Sequence, residues 1–309
     1  MSHPRLDDLI ARARQRAGAS LPPIGVVHPC DALALEAVQR VAANRLARPV
    51  LIGAPDEIAA AADEAGIAID GFEIVASATG GLAAAERATA LVHAGGVRAL
   101  MKGSLHTDEL MSAIVHKARG LRASTRVSHA FVFDLPRYHK LLALADCVVN
   151  ITPHLPAKRD ILTNALALLR ALGVTQPKVG IVAAVETVNA AIPATLDAQA
   201  LVELARRGEW PGAIIEGPFG FDNAISAEAA RIKHISSHVS GDADLLLMPD
   251  LNAGNMLYKS FNYIGGGDCA GLVLGTTVPV VLTSRADTAL SRIASVALAV
   301  LAGSQAREA

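Results

Sequence analysis

Residues Val278–Ala289 read VPVVLTSRADTA. A hydrophobic run delivers Ser284 and Arg285 to an expected strand end, and a new helix is expected a few residues later. An apolar strand, a polar junction and a helix together make the building block of a parallel α/β sheet. Open sheets of this kind bind ligands outside the carboxyl ends of their strands. An arginine placed there is a ready anion ligand, because its planar, permanently charged fork holds a phosphate or an oxyanion by two parallel hydrogen bonds. The same guanidinium could instead close a domain interface through a salt bridge, and the spacing alone leaves both readings open.

The same rhythm extends outward from this stretch. Upstream, Ile24–His28 reads as a strand, followed by the helix Asp31–Asn44 with Asp31 at its N-cap. Pro49–Ile52 reads as a strand. The helix Pro55–Ala65 has proline and acidic residues in its first turn and Gly66 as its stop. Gly81–Ala94 and Thr107–Lys117 read as helices around a strand at Ala99–Met101, and Ser128–Asp134 reads as a further strand. The second half gives strands at Cys147–Ile151, Lys178–Val185, Gly212–Glu216, Asp244–Met248, Cys269–Leu274 and Val280–Leu282. Helices are expected at Ala157–Leu172, Asn252–Ile264 and Thr288–Leu301. Strands separated by helices predict parallel pairing, with sheets covered on both faces. The 309 residues suffice for two domains at about 150 residues each. Crossings are expected near Pro136–Lys140 and Gly275–Pro279, giving a discontinuous first domain of 1–138 plus 278–309 and a second of 139–277.

Composition narrows the function. Hydrophobic residues make up 52% and charged residues 18%, which favours a large core over disorder. Aromatics at 3% and a net charge of −1 offer neither base-stacking platforms nor a basic footprint, so no nucleic-acid partner is expected. No uninterrupted apolar run reaches membrane-spanning length, and the charged amphipathic start MSHPRLDDLIARARQR is not a secretory signal. Three dispersed cysteines, Cys30, Cys147 and Cys269, fit a reducing cytoplasm and argue against a disulfide framework or a zinc site. The histidines are scattered without HExxH or paired Cys/His spacing, so no metal is expected.

Several junctions carry chemistry-bearing side chains. In MKGSLHT (Met101–Thr107) a strand runs into a glycine and then a helix start, where backbone N–H groups attract anions and Ser104, His106 and Thr107 can add hydrogen bonds. A plain helix cap by Thr107 explains the same residues. No GxxxxGK[ST] is present, so this is not an ATP-binding P-loop. EGPFGFDN (Glu216–Asn223) is a turn-rich loop, and MPDLNAGN (Met248–Asn255) is a strand-to-helix junction in which Asp250 can cap the helix or face a ligand. Gly254 there permits close approach of a ligand or of another backbone. Gly265–Gly267 lacks dinucleotide-fingerprint spacing and reads as a helix stop and turn. The absence of GxSxG lowers a hydrolase reading.

Taken in order, MKGSLHTDELM, ITPHLPAKRDILTNALALLRALG, AAVETVNAAIPATLDA, EGPFGFDNAIS, GDADLLLMPDLNAGNMLYK and VLTSRAD resemble the phosphate acetyl/butyryl transferase family, over nearly the whole chain from Ile24 onward. The likeness is nearest to the phosphate acyltransferase half of proteins that fuse it to an enoyl-CoA hydratase, without the hydratase half. The resemblance implies a two-domain α/β fold like isocitrate and isopropylmalate dehydrogenases, with an interdomain active-site cleft. It implies reversible exchange, acyl-CoA plus phosphate giving acyl phosphate plus CoA. Coenzyme A is then a substrate, no cofactor is needed, and a homodimer is expected. It places Ser284 and Arg285 at the reacting carbonyl and phosphate. Ser104, His106 and Thr107 would serve the phosphate end, and Asp250, Asn252 and Asn255 would line the cleft from the other domain. The acetyl branch carries a catalytic aspartate seven residues after its serine, where this chain has Ser291, so the general base is unassigned. That branch also carries an arginine in the helix after its GS-H motif, where this chain reads DELMSA. Two rival readings stand beside this one: an NAD- and metal-dependent hydroxyacid dehydrogenase of the same fold, and a non-catalytic acyl-CoA or acyl phosphate sensor.

Overall fold

The computed structural model describes residues 2–282 and 287–305. The chain forms two compact units, one built from Pro4–Val127 together with the segment from Cys269 onward, the other from Ser128–Asp268. Both divisions fall earlier in the chain than the expected crossings.

The discontinuous unit opens with α1 (Pro4–Ala17), β1 (Pro23–Val27), α2 (Ala32–Ala43), β2 (Arg48–Gly53), α3 (Pro55–Ala65), β3 (Glu73–Ala76), α4 (Gly81–His93), β4 (Ala99–Lys102) and α5 (Thr107–Val115). Local chemistry sets the boundaries. Asp31 caps α2, its carboxylate accepting the Ala34 N–H at 2.7 Å. Pro55 opens α3, and Gly66 ends it in the left-handed conformation at φ 65°. Strands pair in parallel in the order β3-β2-β1-β4. Val27, Ile52 and Leu100 pack with Ala84, Ala88, Leu110 and Ile114 into a core between sheet and helices.

The second unit contains β5 (Ser128–Asp134), β6 (Leu142–Ala145), α6 (Leu155–Ala171), β7 (Lys178–Val182), α7 (Pro193–Arg206), β8 (Ile214–Phe219), α8 (Phe221–Ile225), α9 (Ala227–Ile232), β9 (Leu245–Leu247) and α10 (Leu251–Tyr263). Its strands run in the order β5-β6-β9-β7-β8. Trp210, the one tryptophan of the sequence, is buried here, and its indole N–H donates to Thr163 Oγ1 at 2.9 Å. β10 (Asp268–Leu274) returns the chain to the discontinuous unit, where β11 (Val280–Val281) pairs in parallel with β4 and α11 (Ala289–Gln305) follows.

Two expectations are corrected. The pairing is mixed: β5–β6 and β10–β11 are antiparallel. Each pair is joined by a segment too short for a helical crossover, and only an antiparallel return closes so tightly. Those joining segments contain the stretches Pro136–Lys140 and Gly275–Pro279 where domain crossings were expected. The predicted strand at Cys147–Ile151 is a loop, and the strand lies just before it, at Leu142–Ala145. Asp146 decides this. Its carboxylate takes the backbone N–H groups of Val148 at 2.8 Å and Val149 at 2.9 Å, which turns the chain out of the sheet.

Candidate active site

In the discontinuous unit, candidate residues gather at the carboxyl ends of β1 and β4. Gly103 has no room for a side chain, since a Cβ would sit 2.4 Å from the Val27 carbonyl oxygen. That approach brings the loop after β4 onto the loop after β1. Ser104 then ties the two together: its N–H and its Oγ both donate to the His28 carbonyl, at 2.9 and 2.8 Å, while Oγ accepts the Cys30 N–H at 3.2 Å. The cap of α5 is His106 rather than Thr107. The carboxylate of Glu109, one turn into the helix, accepts the His106 N–H at 2.7 Å, an acidic group where the helix dipole favours one. Thr107 is the first helical residue, with an exposed side chain.

His28 takes a left-handed backbone at φ 54°. Its Nδ1 lies 3.4 Å from Cys30 Sγ and 3.7 Å from a Glu57 carboxylate oxygen. Burial pushes the Cys30 thiol up to about 12, and the negative charges of Glu57 and Asp31 add to the effect. Cys30 is therefore a neutral thiol at physiological pH, not a nucleophile. Among the described residues, His28, Cys30 and Glu57 are the group of three donors spaced for a metal ion, all within 4.8 Å of one another. A cavity of about 290 Å³ in the same unit, lined by Arg16, Pro23, Arg98 and Gly303 among others, opens at the amino ends of β1 and β4. It lies at the opposite strand ends from Ser104, away from where such sheets bind substrates.

In the second unit, Asp250 caps α10, its carboxylate accepting the Ala253 N–H at 3.0 Å. Asn255 donates from Nδ2 to the Cys147 carbonyl at 3.3 Å, and Asn252 is exposed beside them. Gly254 is required for packing: a Cβ would meet the Asp146 carbonyl oxygen at 2.6 Å and Cys147 Sγ at 3.1 Å. The Asp146 carboxylate beneath is buried. It also takes the His129 N–H at 3.1 Å and the Asn150 side-chain amide at 2.7 Å. Burial raises its pKa, and its four N–H donors oppose that rise. The His129 ring itself is fully buried and finds no hydrogen-bond partner among the described residues, and burial lowers its pKa to about 3. The stretch Glu216–Asn223, expected as a loop, instead runs from the end of β8 through Gly220 into the start of α8; there Asn223 Nδ2 donates to Glu186 at 3.3 Å and Asp222 pairs with Lys233 at 3.0 Å.

Ser284 and Arg285 lie outside the described residues. Just beyond them, Thr288 Oγ1 accepts the Ser291 N–H at 2.9 Å, so threonine supplies the side-chain cap at the start of α11. Ser291 is buried, and its carbonyl accepts the Ser295 hydroxyl.

Comparison with known proteins agrees with this architecture. Residues 82–300 match the family model described as phosphate acetyl/butaryl transferase. The chain belongs to the phosphate acetyl/butyryl transferase family. It is 46% identical to a phosphate acetyltransferase of Rhizobium meliloti, over 99% of this chain and 95% of that one. It is 38% identical to a phosphate butyryltransferase of Clostridium acetobutylicum, over 88% and 90%. Its fold matches a branched-chain phosphotransacylase from Enterococcus faecalis with TM-score 0.80 and 27% identity, covering 92% of this chain and 99% of that one. A 4-hydroxythreonine-4-phosphate dehydrogenase from Burkholderia phymatum shares the fold alone, at TM-score 0.53 and 16% identity over 91% and 98%. This family member is thus an acyltransferase with a dehydrogenase-like fold, of the type that exchanges an acyl group reversibly between coenzyme A and phosphate.

Proposed function

We propose that this family member carries out the exchange by direct attack, with Arg285 and Ser284 stabilising the reacting centre. A CoA thiolate attacks the carbonyl carbon of the acyl phosphate; the carbon–sulfur bond forms and phosphate leaves with the electrons of the broken carbon–oxygen bond. In reverse, phosphate oxygen attacks the thioester and the thiolate leaves. Both directions place negative charge on the carbonyl oxygen, so fixed donors dominate the rate. Arg285 binds phosphate or the oxyanion, and Ser284 donates a hydrogen bond to the same centre. Ser104, His106 and Thr107 serve the phosphate end, and Asp250, Asn252 and Asn255 contact substrate. Coenzyme A is a substrate and no cofactor takes part. The enzyme works in the cytoplasm as a homodimer.

The observation that carries this reading is the family match spanning residues 82–300, which contains every residue named in it. The general base stays unassigned, since Ser291 cannot accept a proton at neutral pH as a carboxylate does. A CoA-release assay with phosphate, run across acetyl-, propionyl-, butyryl- and longer acyl-CoA, tests reaction class and chain length together. Turnover is expected with short acyl groups. Arg285→Gln is expected to lower it by orders of magnitude while leaving the circular dichroism spectrum unchanged, and near-normal turnover would remove Arg285 from the site. Tight acyl-CoA binding by the wild type without turnover would favour a sensor.

A further inference from the structure

The loop after β1 holds a second constellation, made of residues to which the proposed acyl transfer assigns no role. Cys30 Sγ and the Glu57 carboxylate both converge on one ring atom, His28 Nδ1, at 3.4 and 3.7 Å. A single ring nitrogen carries one proton or one lone pair, so a hydrogen bond satisfies only one of these neighbours. A cation placed among the three satisfies all of them. Tetrahedral zinc, with bonds of about 2.0–2.3 Å, holds its ligand atoms about 3.4–3.6 Å apart. Cys30 Sγ lies within about 0.2 Å of the nitrogen–sulfur spacing and the Glu57 oxygen within about 0.3 Å of the nitrogen–oxygen spacing, and all three donors lie within 4.8 Å of one another.

We propose that His28 Nδ1, Cys30 Sγ and a Glu57 carboxylate oxygen form a site for a zinc-class divalent ion, with the fourth position open to water. The donor set selects the ion class: thiolate with imidazole suits zinc and its neighbours, whereas magnesium and calcium take oxygen. The ligands are held by outer partners. Glu57 accepts the Gly80 N–H at 3.3 Å, the Cys30 N–H is fixed by Ser104 Oγ, and the His28 N–H donates to the Ile52 carbonyl at 2.7 Å. The side chains of His28 and Glu57 remain 16% and 31% exposed, which leaves an entry path. On loading, the metal–sulfur bond forms as the thiol proton leaves to water. The ion then joins the end of β1 to the first turn of α3, against the loop that carries Ser104.

The test uses the whole protein, stripped with a chelator, dialysed and titrated with Zn²⁺ or Co²⁺. None of its readouts involves acyl transfer, so its result is independent of the catalytic reading. One zinc ion per chain is expected, with a thiolate-to-cobalt charge-transfer band and a Tm that rises with Zn²⁺. Cys30→Ala should abolish the band and weaken zinc binding by more than about 100-fold, beyond what loss of an outer partner causes. Glu57→Gln and His28→Asn should each weaken binding by at least about tenfold, asparagine being chosen at 28 because it tolerates the left-handed backbone. The proposal fails if the wild type takes up no stoichiometric zinc. It fails equally if the cobalt band persists in folded Cys30→Ala.

Discussion

Ser104 commits its hydroxyl to backbone groups on both sides, accepting from Cys30 and donating to His28. A substrate contact by that hydroxyl would come on top of a structural tie. Ser104→Ala is therefore expected to lower stability by about 1–3 kcal/mol in urea unfolding, as well as lowering turnover; unchanged stability would mean that the tie carries no weight. Asp250 allows the two roles to be separated. Asp250→Asn keeps a side-chain acceptor for Ala253 and should preserve stability, whereas Asp250→Ala should lose about 1 kcal/mol. A fall in turnover common to both variants would mark a substrate contact. His129 gives a pH prediction. Its pKa lies at about 3 folded against 6.5 as the ordinary value, so the unfolded chain binds the extra proton first. Its contribution is full above pH 6.5 and is lost as pH falls toward 3, with a slope approaching about 1.4 kcal/mol per pH unit. His129→Phe should flatten that acid limb in denaturation midpoints measured from pH 7 to pH 4. At this scale the sequence showed the caps Asp31 and Asp250 but misplaced that of α5. A Glu109 carboxylate one turn ahead fixes the cap at His106, and a histidine carries no capping signature of its own.

At the scale of elements, glycine decides how closely the candidate loops approach. Gly103 lies under the end of β1 and Gly254 under the Asp146–Cys147 turn. Gly254→Ala should cost about 1–3 kcal/mol by overpacking and should disturb Asn255, which bonds the same turn; thermal unfolding together with KM for CoA would read both effects. Element types were largely legible because apolar runs and helix stops alternate so regularly. The loop at 147–151 was not. Its apolar residues imitate a strand, and only the folded carboxylate of Asp146, gathering N–H groups from Val148 and Val149, shows why the chain leaves the sheet. The metal-donor group was equally hidden. His28 and Cys30 are close in sequence, but Glu57 reaches them across a strand and a helix, so no linear spacing announces the third ligand.

For the whole molecule, long segments in the right order identified the family more securely than any single site residue. The division into units was harder to place, because the returns at 135–141 and 275–279 are punctuated like domain linkers yet close antiparallel strand pairs. Light scattering after size exclusion is expected to give the mass of two chains; a monomer of full activity would remove the dimer from the proposal.

Trp210 has a practical consequence. The indole belongs to the 128–268 unit and is clasped by Thr163 of α6, so its fluorescence emission watches that unit alone. Far-ultraviolet dichroism sums the helices of both. Denaturation curves recorded with the two probes will superimpose if the halves melt as one cooperative body and part company if they melt in turn. A single native chromophore thus lets the protein report its own order of disassembly, with no label attached.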